Sequence, residues 1–162
     1  MSRIRPAVAA DLPRLVEIYN QAVATRRVTA DVDPCTVDSR RAWFENRSPE
    51  RHPIFVHDDG GVDGYLALRP YRGRPALART AEISYYVDYA RHGRGIGSAL
   101  MTHSVAEAPR TGIMVLLAIV LEGNAASVRL LEKFQFARWG FLPEVADLGG
   151  ALRGHWYYGR TL

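Results

Sequence analysis

One cysteine in 162 residues, Cys35, excludes an internal disulfide framework and fits a reducing compartment, the cytoplasm. It stands between Pro34 and Thr36 and reads as a bystander in a turn. No apolar run approaches the roughly 18 residues that cross a bilayer, so a membrane partner is not expected. The opening Met1-Ser2-Arg3-Ile4-Arg5-Pro6 lacks the apolar core of a signal peptide, so export is not expected either. No G-x-x-x-x-G-K-[ST] string occurs, which excludes a Walker A loop. His52, His57, His103 and His155 lack metal-ligand spacing; they read as surface or packing residues, and no metal is expected. There is no repeat, low-complexity tract or linker. Residues 1–162 are therefore expected to form one domain, able to bury about 70% of its unfolded surface.

Charge narrows the partners. Twenty-one basic against 17 acidic residues give a formal +4 and a pI near 9.5, which suits an anionic ligand. The arginines are scattered, with only short pairs such as Arg26-Arg27 and Arg40-Arg41. A solvated basic surface explains most of them, and nucleic acid is not expected as a partner.

The apolar periods alternate between helix and strand. Arg3 to Ala7 is a first strand. Leu12, Leu15, Tyr19 and Val23 recur at helical spacing behind Asp11, read as an N-cap, with Pro13 in the first turn. Thr36 or Asp38 opens a second helix carrying Val37, Trp43 and Phe44. Ile54–His57, the turn Asp58-Asp59-Gly60-Gly61 and Val62–Leu68 form a hairpin. Tyr71–Pro75 is a loop and Thr80–Val87 a strand. A third helix ends near Pro109 and Gly112, and Ile113–Leu121 is a buried strand. Asn124–Phe134 is a helix, followed by strands at Ala137–Phe141 and Leu152–Leu162 across the Gly149-Gly150 turn. The order β-α-α-β-β-β-α-β-α-β-β describes a mixed α/β domain.

The junction Ile83–Leu100 carries the most chemistry. A strand runs into the basic turn Arg91-His92-Gly93-Arg94-Gly95-Ile96-Gly97-Ser98 and then a helix. Glycines let consecutive backbone N–H groups converge, and the helix adds its positive end, so the segment is an anion cradle fit for a pyrophosphate. A dinucleotide fingerprint needs G-x-G-x-x-G after the first strand; here the spacing is wrong and the site lies mid-chain.

R/Q-x-x-G-x-G/A between strand and helix is the coenzyme A motif of the GNAT superfamily of N-acetyltransferases, which this segment resembles. Ile18-Tyr19-Asn20, Ala42-Trp43-Phe44, Gly64-Tyr65, Tyr71-Arg72-Gly73-Arg74, Thr80-Ala81-Glu82-Ile83-Ser84 and Asn124-Ala125-Ala126-Ser127 extend the resemblance over nearly the whole chain. Together they resemble the branch with phosphinothricin and methionine sulfoximine acetyltransferases. The resemblance implies an α/β (α+β) domain with a central, mixed, largely antiparallel sheet and about four helices. It implies acetyl-CoA as co-substrate, a small amine as acceptor and a homodimer.

Roles follow from the same resemblance. Glu82 is expected as the general base, acting directly or through a water, with Arg72, Arg74 and Ser84 meeting the acceptor. Arginine suits a carboxylate because its fork binds both oxygens. Tyr85, Tyr86 and Val87 line the pantetheine strand, with a backbone N–H near Val87 polarising the thioester carbonyl. Alternation places the two tyrosine side chains on opposite sheet faces. Gly93, Arg94, Gly95, Ile96, Gly97 and Ser98 hold the pyrophosphate, Asn124 touches the pantetheine arm, and Lys133 reaches a phosphate. Three departures stand out. His92 replaces the motif's Gln or Arg, Gln135 replaces a glycine before Phe136, and Leu131 occupies the place of a Tyr or His that protonates the leaving thiol. Tyr85 or Tyr86 is a candidate substitute acid. With no cysteine in the motif, the expected transfer is direct, to the α-amine of a phosphinothricin- or methionine sulfoximine-class amino acid. The competing readings are a protein, peptide or polyamine acetyltransferase and a non-catalytic coenzyme A-binding module.

Overall fold

The computed structural model describes residues 3–162. A single seven-stranded sheet runs in the order β1-β2-β3-β4-β5-β7-β6. β1 (Arg3–Pro6), β2 (Ile54–Asp58), β3 (Val62–Pro70) and β4 (Thr80–Val87) form an antiparallel half. β5 (Val115–Leu121), β7 (Leu152–Thr161) and β6 (Ala137–Asp147) form the other. The halves meet at the one parallel pair, β4 and β5.

Four helices cover the sheet. α1 (Leu12–Thr25) and α2 (Val37–Glu45) lie on one face, where Leu15, Ile18, Phe44, Val56, Tyr65 and Ala67 form a core. α3 (Ile96–Glu107) and α4 (Ala125–Lys133) lie on the other, packing Leu100, Met101 and Leu131 against Leu66, Ile83, Leu116 and Tyr158. Tyr85 joins the second core and Tyr86 the first, as strand alternation requires.

Local chemistry explains most boundaries and corrects three. Thr36 caps α2 by accepting from the Ser39 N–H. Asp11 does not cap α1; its carboxylate accepts from the Val8 N–H at 2.8 Å and closes a 3-10 turn, Ala9–Asp11, in front of the helix. The Arg5 guanidinium, hydrogen-bonded to that carboxylate, holds it below the usual range. β6 is also longer than its apolar pattern suggests. It passes Pro143 to Asp147 because an edge strand tolerates a missing donor, with a register shift between Leu142 and Ala146 and Glu144 at φ 54°. β3 likewise runs two residues past Leu68, which puts Arg69 opposite Glu82.

Candidate active site

The site begins where the sheet splits. β4 and β5 pair only over Thr80–Ile83 and Val115–Ala118. Beyond that point β4 continues against β3 alone and β5 against β7 alone. Ser84–Val87 therefore turn one backbone edge toward a wedge rather than toward a neighbouring strand, and backbone N–H and C=O groups on such an edge require partners.

At the wide end of the wedge lies the glycine turn. Asp88 anchors it: its N–H donates to the Asp63 carbonyl at 2.9 Å and its carboxylate accepts from the Ala90 N–H at 2.9 Å. That backbone bond, reinforced by the Arg14 guanidinium, keeps the Asp88 carboxyl below its ordinary range. Gly93 and Gly95 stand at φ 77° and 79°, with no atom within 4 Å of where a side chain would begin. Glycine is needed there for its backbone conformation rather than for room. Gly95 caps α3, whose first carbonyl-to-amide bond is Ala99 N–H to Gly95 O at 2.9 Å. Gly97 matters for packing instead, since a Cβ there would sit 3.3 Å from Leu130; its absence lets α3 approach α4.

A cavity of about 320 Å³ joins turn and wedge, walled by Tyr85, Tyr86, Val87, Gly93, Gly95, Ile96, Gly97, Ser98, Asn124, Ser127 and Leu130. Nine of the expected cofactor residues thus come together. Arg94 is exposed and stays outside the wall. Lys133 is also outside, but its Nζ donates to Ser98 Oγ at 3.0 Å, which sets a cation beside the first turn of α3. Asn124 caps α4 by accepting from the Ser127 N–H at 3.2 Å, and it also lines the cavity. The His92 ring contacts the Val87 carbonyl at 3.0 Å through Nε2 and leans on Tyr89, so the departure from Gln or Arg serves to brace the turn. Convergent N–H donors, a helix N-terminus and an open strand edge suit the pyrophosphate and amide groups of coenzyme A.

A second cavity, about 400 Å³, lies on the α1–α2 face and shares Val28, Tyr85, Tyr86, Asn124 and Ser127 with the first. Its floor follows the cross-strand pairs of β3 and β4: Tyr65 with Tyr86 and Arg69 with Glu82 line it, and between them Ser84 lines it opposite the fully buried Ala67. The small central pair leaves a hollow between an aromatic end and an ionic end. Glu82, only 17% exposed, is ion-paired with the Arg69 guanidinium. His155 of β7 also lines the hollow, where burial lowers its pKa against the opposing pull of Glu82 and favours neutral imidazole.

The roof is the α1–α2 connection. Asn20 grips Cys35 at both backbone atoms, 2.9 Å each way. The Tyr19 hydroxyl meets Thr29 Oγ1 at 2.9 Å and donates to the Asp31 carboxylate, and burial raises its pKa. Arg40 stacks 4.2 Å above the Tyr19 ring and donates to Asp31 at 3.2 Å. Cys35 lines neither cavity.

The other expected site residues divide. Glu82 and Ser84 line this second cavity, whereas Arg72 and Arg74 line a separate depression with Arg51, His52 and Thr80. Leu131 is fully buried in the core against α3 and the sheet. Burial pushes the Tyr85 hydroxyl up to about 12 and the Tyr86 hydroxyl higher still. Sequence reasoning missed Arg69, Arg40, Asp31 and His155. Extending the Tyr65–Ala67 alternation by one step would have found Arg69. No helix among the described residues is long and apolar enough to cross a membrane, and no cluster of three His, Cys, Asp or Glu residues among them could hold a metal ion.

Comparison with known proteins agrees with this geometry. The acetyltransferase (GNAT) family model matches residues 14–136. A Bacillus subtilis (strain 168) protein, YwnH, provisionally named a phosphinothricin acetyltransferase, is 40% identical over 149 residues, 91% of each chain. The L-methionine sulfoximine/L-methionine sulfone acetyltransferase of Pseudomonas aeruginosa is 34% identical over 91% of this chain and 87% of its own. The crystal structure of a phosphinothricin acetyltransferase from Sinorhizobium meliloti in complex with acetyl-CoA superposes with a TM-score of 0.93, covering 99% of this chain and 88% of that one at 26% identity.

Proposed function

The chain belongs to the acetyltransferase (GNAT) family, and from that premise we propose that it moves an acetyl group from acetyl-CoA to the α-amine of a small amino acid analogue of the phosphinothricin, methionine sulfoximine and methionine sulfone class. One observation carries the reading. The acceptor hollow holding Glu82 and the cofactor cavity at the glycine turn share a wall of Tyr85, Tyr86, Asn124 and Ser127, so donor and acceptor meet inside one protein.

In this reading Glu82 receives the proton of the acceptor ammonium, directly or through a water. The freed amine nitrogen bonds to the thioester carbon while the carbon–sulfur bond breaks, and the surplus proton on that nitrogen passes to the departing thiolate or to water. The unpaired edge of β4 near Val87 supplies an N–H to the carbonyl oxygen as its charge develops. Transfer is direct, since Cys35 lies away from both cavities.

No positioned acid is needed for the leaving group. A thiol has a pKa of about 8.5, so it departs as thiolate. A Tyr85 hydroxyl at about 12 keeps its proton in preference to that thiolate. Leu131 offers none. The chain is proposed to work in the cytoplasm, where its lone thiol stays reduced, and as a homodimer joined along β6.

A coenzyme A-release assay with acetyl-CoA and a panel holding phosphinothricin, methionine sulfoximine and methionine sulfone tests the assignment. Turnover is expected, and Glu82→Gln is expected to lower kcat by about 10²–10⁴-fold with acetyl-CoA binding retained. Turnover that survives Glu82→Gln unchanged removes Glu82 as the base. Acetylated protein in a cell extract, with silence across the panel, moves the acceptor to a protein amine.

A further inference from the structure

The acceptor hollow contains two cations, Arg40 and Arg69, and they are held differently. Arg40 is committed: it stacks on Tyr19, lies 5.6 Å from the Trp43 ring, and donates to Asp31 and to Cys35 Sγ. Arg69 gives one terminal nitrogen to Glu82, while its Nε is closed off from solvent with no hydrogen-bond partner among the described residues. Yet 42% of the side chain remains open, and Arg69 lines the hollow. The closed-off Nε is therefore out of a ligand's reach, whereas Nη1 makes no hydrogen bond among the described residues and is not closed off in that way, so it is the nitrogen that can donate to a ligand oxygen. Arg72 and Arg74, the loop arginines that resemblance singles out, lie in a different depression.

We propose that Arg69 is the residue that binds the acceptor's α-carboxylate, as the cationic half of a Glu82–Arg69 clamp for a zwitterion. The inference rests on the amino acid acceptor proposed above. An α-amino acid carries its ammonium and carboxylate on one carbon, so a site that reads both needs opposite charges side by side. Residues directly opposed on antiparallel strands have Cβ atoms about 4.5–5.5 Å apart, and Arg69 and Glu82 are so opposed. The existing ion pair opens into two: ammonium to Glu82, carboxylate to the guanidinium fork. No net charge is buried in the exchange, because a neutral pair receives a neutral zwitterion. The same clamp places the amine nitrogen at the proposed base, so recognition and deprotonation share one geometry. The side chain of the acceptor then extends past Ser84 toward Tyr65, Tyr86 and the roof.

The test compares methionine sulfone with its α-carboxamide, which keeps the amine and lacks the charge. The native enzyme is expected to prefer the acid in kcat/KM. Arg69→Met is expected to raise KM for the acid by about 10- to 100-fold, leave the carboxamide within about threefold, and leave KM for acetyl-CoA unchanged. Arg69→Lys keeps a charge without the fork and should fall between them; it also carries the test should the methionine variant melt early. A purely structural hold on Glu82 would lower kcat for both acceptors alike, and that pattern overturns the proposal. So does a preference for the acid that survives Arg69→Met but vanishes in Arg72→Met or Arg74→Met. If the native enzyme acetylates neither compound nor any other amino acid in the panel, the acceptor assignment itself fails, and the clamp with it.

Discussion

At the scale of single residues, the departures from the motif are the informative positions. Gln135 adopts φ 62°, a left-handed conformation that costs a non-glycine residue roughly 1–2 kcal/mol, which is why a glycine suits this place. Gln135→Gly is expected to stabilise the fold by about 0.5–1 kcal/mol, since glycine's greater unfolded freedom cancels part of the relief, and to raise Tm by roughly 1–4 °C. Calorimetry of the two proteins checks it. Tyr85 is equally informative. Its hydroxyl, held near 12 by burial, donates over 3.4 Å to the Ser127 carbonyl and packs as part of the cavity wall. Tyr85→Phe is expected to leave kcat within about threefold, far short of the 10²–10⁴ that a positioned acid supplies. Glu82 is marked by Thr80-Ala81-Glu82-Ile83-Ser84, a motif that carries the resemblance, whereas its ion-pair partner Arg69 lies outside every such motif. The apolar pattern stops at Leu68; alternation carried one step further puts Arg69 on the Tyr65–Ala67 face, and register then sets it opposite Glu82. His155 escaped for a related reason: it comes from β7, the last strand, inserted beside β5 by a pairing that no local pattern announces.

At the scale of elements, apolar runs and turn signals revealed each helix and strand in order, although β3 is buried on both faces and β6 is exposed nearly throughout. What they could not reveal was how far the edges extend, as β6 demonstrates. The turn between β4 and α3 depends on Asp88, which ties β3, α1 and the turn together. Its carboxyl and that of Asp11 both lie below the ordinary 3.8, so each contributes stability that is present above that value and lost as pH falls through the lowered ones. Acid unfolding should therefore set in below about pH 4, and Asp88→Asn should flatten the acid limb of the stability curve. A melting series from pH 2 to 7 measures both. Close packing at the other end of the cradle leads to a second prediction. A Cβ on Gly64 would come within 2.8 Å of Ile96 Cγ2, at the base of α3. Gly64→Val is expected to push α3 away from the sheet, cost roughly 1–3 kcal/mol and weaken acetyl-CoA binding.

At the scale of the whole molecule, β6 is a free edge eleven residues long that exposes Trp139, Phe141, Leu142 and Val145. Trp139 and Phe141 lie over Gly159 and Gly154 of β7, where a Cβ would come within 2.1 and 2.3 Å of their rings, so the glycines hold the aromatics flat on the sheet. An uncovered apolar edge invites another strand, and the proposed homodimer would satisfy it by a two-fold pairing of β6 with itself. Size exclusion is expected to give about twice the 18.1 kDa chain mass, and Val145→Asp on that edge to return the monomer. The divergence of β4 from β5 has a consequence for folding as well as for chemistry. The sheet's two halves are joined directly through only four residue pairs, so a ligand bonded along both lips of the wedge fastens them as an added strand would. Such a ligand binds the folded chain alone, and at 100 times its Kd contributes about 2.7 kcal/mol, a rise in Tm of roughly 5–10 °C. The resistance of this protein to heat and to proteolysis is thereby expected to rise with the supply of acetyl-CoA, which melting curves taken with and without it measure.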